Sequence, residues 1–298
     1  MDLAGILPAL TTPYGEDGAV DLERFRANLA RYNRTGLSGY VVLGSTGESV
    51  LLSKEEGESL LSTAREAAAP DKLLIAGTGA ESTAETIAKT RRAAALGYAA
   101  ALVKTPHYYK PIYGPETYLR HYRAVADASP IPVLLYSVPM FTGVALETRE
   151  ILALAEHPNI LGIKDSSGVM QRVVEVAGAA PERFTVLTGG AGVVYPSLCA
   201  GARGAILALA SALPEKCVAL YALWKDGRAT EARALQGLLA AASTAVLSEN
   251  GIAGLKHAMD LRGYSGGAPR APLLPLGEES KRRIAAILAQ LEPAAATA

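Results

Sequence analysis

Lys164 is the residue of this sequence with the clearest chemical potential. It lies in the segment PNILGIKDSSG at 158–168, where Pro158-Asn159 predicts a turn and residues 160–163 predict a short buried strand. Burial disfavours the charged form of an amine, and a neutral amine can attack a ketone or aldehyde carbon to form a Schiff base. The segment therefore allows covalent catalysis by Lys164, but also a lysine that pairs with Asp165 or reaches solvent.

Two further groups of residues follow apolar runs and complement such an amine. In GSTGE at 44–48, glycines let backbone amides approach a ligand, and the hydroxyls of Ser45 and Thr46 add donors that suit a carboxylate. Tyr136 ends another apolar run and could relay protons while an imine forms and collapses. Alone, the first is a common turn and the second a common core residue. Together they predict a site for a 2-oxo acid.

Lys104 is the rival nucleophile, because it also ends an apolar run. It is followed by Pro106 and by the aromatic run His-Tyr-Tyr at 107–109, which indicates a position on the rim of the site. We therefore prefer Lys164.

The elements that must position these residues are strands that alternate with helices. Ser53 and Ser82 each begin a Ser-x-x-Glu capping box, and Asp21 precedes an amphipathic helix. Eight apolar runs predict strands, at 5–12, 39–45, 73–78, 99–105, 132–138, 160–165, 184–189 and 203–209.

Eight such units predict a parallel (β/α)₈ barrel over residues 1–224, followed by a C-terminal helical region at 225–298. A doubly wound open sheet is the alternative, but no GxGxxG motif follows the first strand. In a barrel, the active site lies at the carboxyl ends of the strands. Lys164, Tyr136, Ser45 and Thr46 should therefore meet there.

Composition narrows the class of ligand. The 298 residues are 50% hydrophobic and carry 29 basic and 29 acidic side chains, so nothing predicts nucleic acid or an anionic membrane as a partner. Cys199 and Cys217 lie in apolar surroundings, and the four histidines lack metal-ligand spacing. We expect no metal, which disfavours a metal-dependent hydrolase. Without a signal peptide or a long apolar run, the expected location is the cytoplasm.

Five motifs follow one another along the chain: GSTGE at 44–48, TPHYYK at 105–110, YSVPxxTG at 136–143, GIKDSSG at 162–168 and GARGAI at 201–206. Their order and spacing resemble those of one known family, the dihydrodipicolinate synthase / N-acetylneuraminate lyase family. The resemblance covers the whole barrel. It implies a class I aldolase that needs no cofactor beyond the lysine imine, usually assembled as a homotetramer built from dimers.

The resemblance also implies roles for individual residues. Lys164 would form the Schiff base with pyruvate, and Tyr136 would relay protons. Ser45 and Thr46 would contact the pyruvate carboxylate, and Tyr108 would complete the relay across a dimer interface. Further residues would line the pocket: Gly189 and Ile206 near the imine, and Ser166 and Phe141 at the aldehyde end.

The sequence departs from the pattern of dihydrodipicolinate synthases in two ways that affect the predicted substrate. Dihydrodipicolinate synthases typically have serine and arginine where this chain has Met140 and Phe141. The second departure is a resemblance to 4-hydroxy-2-oxoglutarate aldolases in three segments, namely YSVP, residues 251–267 and APRAPL at 268–273. Those aldolases have serine and asparagine at the positions where this chain has Ser45 and Thr46.

We therefore predict a pyruvate-dependent class I aldolase or lyase, with cleavage of 4-hydroxy-2-oxoglutarate to pyruvate and glyoxylate as the best substrate hypothesis. The alternatives within this class are dihydrodipicolinate synthase and a sugar-acid aldolase or dehydratase. The alternative from another class is a non-catalytic 2-oxo-acid binding protein.

Overall fold

Eight parallel strands form one sheet in the computed structural model, which describes residues 1–291. Each strand lies within its predicted range, so all eight predictions are confirmed. The sheet order is β1-β8-β7-β6-β5-β4-β3-β2. The strands are β1 Gly5–Pro8, β2 Gly39–Val42, β3 Leu73–Gly77, β4 Ala100–Lys104, β5 Val133–Ser137, β6 Ile160–Asp165, β7 Thr185–Thr188 and β8 Gly204–Leu207.

Just beyond β1, the chain closes the sheet against β2. Ala9 forms a parallel bridge with Val41, and the amide of Leu10 donates to the carbonyl of Val41 at 2.9 Å. The sheet is therefore a (β/α)₈ barrel, as predicted, and not an open doubly wound sheet.

Helices connect successive strands and then continue beyond the barrel. Those between the strands are α1 Leu22–Tyr32, α2 Lys54–Ala67, α3 Thr83–Ala95, α4 Pro115–Ala128, α5 Pro139–Thr142, α6 Thr148–Ala155, α7 Met170–Ala179 and α8 Val194–Cys199. Those after β8 are α9 Pro214–Lys225, α10 Ala229–Ser243, α11 Gly251–Leu261 and α12 Glu278–Ala289.

Capping side chains begin the helices where the sequence predicts them. The side chain of Ser53 accepts from the amide of Glu56, and the Glu56 carboxylate accepts from the amide of Ser53 at 2.8 Å, which completes the capping box of α2. At α3, Ser82 accepts from the amide of Glu85 at 3.3 Å, which is one half of that motif. Helix α2 thus begins at a fixed point just after the GSTGE loop.

An apolar layer fills the barrel interior below the carboxyl ends of the strands. Tyr136 lies two residues beyond Leu134 on the same strand, so both side chains point to the same side of the sheet. Tyr136 packs in this interior cluster, whose other buried members include Leu7, Val41, Ile75, Leu102, Leu134, Leu187 and Ile206. The barrel is therefore a packed core that supports the residues above it.

The C-terminal helices share a hydrophobic core with the barrel. Leu239 of α10, Leu255 of α11 and Ile284 of α12 belong to the same buried cluster as Phe25 of α1. The predicted division after residue 224 falls one residue before the end of α9, and residues 292–298 of the predicted helical region lie outside the described part of the chain. No helix within residues 1–291 is long and apolar enough to cross a membrane.

Candidate active site

Lys164 is buried at the carboxyl end of β6, where only 4% of its surface is exposed. The β5–β6 register pairs it with Tyr136, and its Nζ lies 4.4 Å from the centre of the Tyr136 ring. Among residues 1–291, no side chain or carbonyl forms a hydrogen bond or ion pair with this amine. Lys164 is thus a buried amine with an aromatic neighbour and no counter-ion.

The aspartate beside Lys164 is engaged elsewhere. Asp165 Oδ1 accepts from the amide of Ser167 at 2.7 Å, and Asp165 Oδ2 lies 3.7 Å from Arg172 Nη1. Arg172 also pairs with Glu147 at 3.0 Å. The alternative in which Lys164 pairs with Asp165 or reaches solvent is therefore wrong.

Tyr136 lies between the two candidate lysines, because β4 pairs Lys104 with Tyr136 and β5 pairs Tyr136 with Lys164. The rival Lys104 forms an ion pair with Glu81 at 3.0 Å. The amine of Lys104 is therefore occupied by a carboxylate, whereas Lys164 has no such partner among residues 1–291. This pairing supports the preference for Lys164.

Glu81 is a residue that the sequence interpretation missed. Its carboxylate accepts from the amides of His107 and Tyr108, both at 2.8 Å, and so fixes the loop after β4. Burial alone would raise the pKa of Glu81, but these amides and the Lys104 ammonium lower it to about 2. Its position just after β3 is the signal that could have identified it, because the other candidates also follow strands.

The loop that carries Ser45 and Thr46 has a constrained backbone. Residues Ser45–Gly47 form one 3₁₀ turn, with Leu43 before it at φ 60° and Glu48 after it at φ 55°. Such left-handed conformations cost on the order of 1–3 kcal/mol in residues with side chains and persist only where the surroundings impose them. The surrounding structure therefore holds this loop in one conformation.

Gly189 and Ser166 bring the ends of β7 and β6 together. The amide of Gly189 donates to the carbonyl of Asp165 at 2.7 Å, and a Cβ on Gly189 would lie 1.9 Å from Ser166 Oγ. A side chain at position 189 would therefore require Ser166 to shift. Ile206, on β8, is fully buried in the barrel interior.

Tyr108 and Phe141 lie away from this buried group. They are 75% and 59% exposed, respectively, and other large exposed apolar side chains lie close to them in sequence, namely Tyr109, Ile112 and Met140. Within one chain, the structure does not bring Tyr108 or Phe141 against Lys164. The predicted role of Tyr108 across a dimer interface stays a prediction.

A cavity of about 660 Å³ opens at the ends of β2, β3 and β4. Ser45 and Tyr136 both line it, together with Lys104 and His107. It therefore joins Ser45 of the predicted carboxylate loop to Tyr136, but Lys164 and Thr46 are not among the described residues that line it. Within residues 1–291, no group of three or more His, Cys, Asp and Glu side chains could hold a metal ion, and the prediction that no cofactor is needed stays a prediction.

Comparison with known proteins agrees with this geometry. The model of the dihydrodipicolinate synthetase family matches residues 2–291. The chain belongs to this family. The predicted family, barrel fold and enzyme class, a class I lyase that uses a lysine Schiff base, are thereby confirmed.

Relatives in the family share the full length of this chain. A 4-hydroxy-tetrahydrodipicolinate synthase of Exiguobacterium sp. is 37% identical over 96% of this chain and 97% of its own length. One from Xanthomonas campestris pv. campestris is 39% identical over 98% and 97%. These names favour the dihydrodipicolinate synthase alternative over the predicted 4-hydroxy-2-oxoglutarate aldolase.

Solved structures agree with the fold over the same length. The dihydrodipicolinate synthase from Acinetobacter baumannii, solved in complex with pyruvate, has a TM-score of 0.92 and 31% identity and covers 97% of this chain and 98% of its own. The enzyme from Bacillus anthracis has a TM-score of 0.93 and 28% identity, with 99% and 100% covered.

The lowered pKa of Glu81 predicts that the protein becomes less stable in acid. Because folding lowers this pKa from 4.5 to about 2, the stability that Glu81 contributes is present above pH 4.5 and is lost as the pH falls towards 2. We expect the difference in the free energy of unfolding between wild type and Glu81→Gln to stay constant from pH 7 to about pH 5.5 and to shrink at lower pH. Urea unfolding across this range measures it, and a difference independent of pH would contradict the assignment.

Proposed function

We propose that this protein is a 4-hydroxy-tetrahydrodipicolinate synthase, which condenses pyruvate with aspartate semialdehyde through a Schiff base on Lys164. The observation that carries the proposal is the buried amine of Lys164, which has no counter-ion among residues 1–291 and lies 4.4 Å from the centre of the Tyr136 ring. The family and the names of the relatives support the choice of substrates.

The reaction begins when the amine of Lys164 attacks C2 of pyruvate and water leaves. The resulting imine draws electrons from C3, which loses a proton to give an enamine. The enamine carbon attacks the aldehyde carbon, and its oxygen takes up a proton. The amino group of the semialdehyde then attacks the imine carbon and displaces the amine of Lys164, which closes the ring of the product and regenerates the free lysine. Tyr136, beside Lys164, relays the protons of these steps.

The pyruvate carboxylate binds at the loop of Ser45 and Thr46. Hydroxyl and backbone donors there suit an anion, and Ser45 lines the same cavity as Tyr136. In this assignment Gly189 and Ile206 would flank the imine, and Ser166 lies against Gly189.

We further propose that Tyr108 acts across an interface between copies of this chain, in a homotetramer built from dimers. Tyr108 is 75% exposed and Ile112 is 80% exposed, as expected for side chains that a second copy covers. The cytoplasmic location and the absence of nucleic acid or membrane partners stay predictions.

Cleavage of 4-hydroxy-2-oxoglutarate remains the second candidate, because Met140 and Phe141 are exposed apolar side chains where dihydrodipicolinate synthases typically carry serine and arginine. In that reaction, Tyr136 removes the proton of the 4-hydroxyl, and the C3–C4 bond of the imine breaks. A non-catalytic 2-oxo-acid binding protein differs from both, since it would bind pyruvate without turnover.

Borohydride reduction in the presence of pyruvate tests the Schiff base. We expect a reduced pyruvate adduct on Lys164, located by peptide mass spectrometry, and none in Lys164→Ala, because the variant lacks the attacking amine. Lys104→Ala is the matched control and should still be labelled on Lys164. An adduct on Lys104, or none at all, would refute the mechanism.

Substitution of Tyr136 by phenylalanine separates proton relay from binding. Loss of a positioned acid–base group typically slows turnover by about 10²–10⁴-fold. We expect Tyr136→Phe to lose activity on this scale while pyruvate still becomes trapped on Lys164. Steady-state kinetics and the trapping yield measure the two effects, and turnover within tenfold of wild type would exclude Tyr136 from the relay.

Side-by-side assays distinguish the two candidate reactions. We expect condensation of pyruvate with aspartate semialdehyde to have a kcat/KM at least about 100-fold above that for cleavage of 4-hydroxy-2-oxoglutarate, which corresponds to about 3 kcal/mol of transition-state binding. The reverse preference would identify the second candidate as the activity.

A further inference from the structure

The molecule contains a second buried lysine, Lys256 on α11, which is fully enclosed. Its Nζ lies 2.6 Å from Glu48 Oε1, donates to the carbonyl of Ala268 at 2.9 Å and lies 4.3 Å from the centre of the Tyr14 ring. Burial lowers the pKa of Lys256, and the Glu48 carboxylate opposes this effect. Because this amine is enclosed and paired, it is not available to a ligand.

Glu48 is the last residue of the GSTGE motif. Only 2% of its surface is exposed, and its second oxygen, Oε2, accepts from the amide of Arg270 at 2.7 Å. The carboxylate is therefore held by two groups of the C-terminal region. The backbone of Glu48 has the left-handed conformation at φ 55°, which residues with a side chain rarely adopt.

Arg270 binds the chain on the far side of the same motif. Its guanidinium contacts both oxygens of Glu56 at 2.6 Å and donates to the carbonyl of Leu51 at 3.0 Å and to that of Gly18 at 2.7 Å. A bidentate arginine–carboxylate pair fixes orientation as well as distance. Contacts from the C-terminal region thus extend from Glu48 to the first turn of α2.

The segment that supplies these contacts is itself tightly folded. Asp260 Oδ1 accepts from the amide of Gly266 at 2.8 Å, and a Cβ on Gly266 would lie 2.0 Å from the carbonyl oxygen of Lys256. Lys256 and Arg270 are thereby held at a fixed separation when they reach Glu48.

We propose that Glu48, Lys256 and Arg270 are positioning residues that hold the loop of Ser45 and Thr46 in the conformation that binds the carboxylate of pyruvate. The assignment of pyruvate to this loop rests on the proposed function. The contacts themselves do not depend on it.

The physical reason is the cost of an unpaired buried charge. Without Lys256, the Glu48 carboxylate would keep only its bond to the amide of Arg270, and a buried carboxylate without a counter-ion moves towards water or takes up a proton. Either change releases the left-handed backbone of Glu48, which immediately follows the turn of Ser45 and Thr46. The donors for the carboxylate would then lose their alignment.

Two variants and one control test the proposal. Lys256→Met and Glu48→Gln each remove one charge with little change of volume. Ile284→Ala in α12 is the control, because it also destabilises the C-terminal core but lies outside the contacts to the loop.

The first readout is the pyruvate concentration that gives half-maximal borohydride trapping on Lys164. The second is hydrogen–deuterium exchange of residues 43–51 in the protein without substrate.

We expect the half-saturating pyruvate concentration to rise about 100-fold in Lys256→Met and Glu48→Gln, since small displacements of binding groups have effects of this size. Exchange of residues 43–51 should accelerate in the same two variants, and neither readout should change in Ile284→Ala. Unchanged trapping and exchange in both variants would overturn the proposal, as would equal changes in Ile284→Ala.

The two readouts keep this proposal separate from the proposed function. If wild type is not trapped on Lys164, the proposed function fails. Exchange then still decides whether the charged contacts hold the loop. If wild type is trapped and both variants keep its half-saturating concentration, only the positioning proposal fails.

Discussion

Parallel pairing of the strands is the constraint on which the site depends. Parallel strands send their carboxyl ends to one rim, and neighbouring strands lie about 4.8 Å apart. The registers of β4, β5 and β6 therefore align Lys104, Tyr136 and Lys164 across three adjacent strands. The contact between the amine and the ring follows from this register, and Tyr136 packs on the buried apolar layer beneath it.

The two buried lysines of this chain differ in the polar partners of their amines. Lys256 has a carboxylate and a carbonyl as partners, so burial of its charge is offset by local interactions. Lys164 has neither among the described residues, and the nearest acidic side chain along the chain, Asp165, is engaged with Arg172. That difference separates a structural lysine from a candidate nucleophile.

Much of the barrel could be predicted from the sequence, because its signals are local. Apolar runs marked all eight strands, and capping side chains marked the starts of α2 and α3. Lys164 and Tyr136 were predicted as site residues because each ends an apolar run. By contrast, the contact between Glu48 and Arg270 joins residues 222 positions apart, and no local pattern predicts which distant side chains meet.

Other features depend on surfaces that local patterns do not describe. Tyr108 and Phe141 are exposed because of the paths that their loops take away from the barrel. Glu81 lies after a strand but belongs to no recognisable sequence motif, so its contacts with the loop after β4 were not predicted. The choice between two aldehyde partners was also beyond the sequence motifs, since the motifs at the imine end are shared by enzymes with different second substrates. The comparisons with relatives, rather than local chemistry, favoured one of them.

The pairing of Glu48 with Lys256 and Arg270 also sets an order of events during synthesis. The eight strands and the helices between them are made before residue 256, and the GSTGE loop leaves the ribosome well before its partners. Its partners follow some 200 residues later, so a nascent chain can hold a nearly complete barrel whose carboxylate loop still lacks its counter-charges. The contacts that hold the GSTGE loop can therefore form only after the C-terminal region has been made.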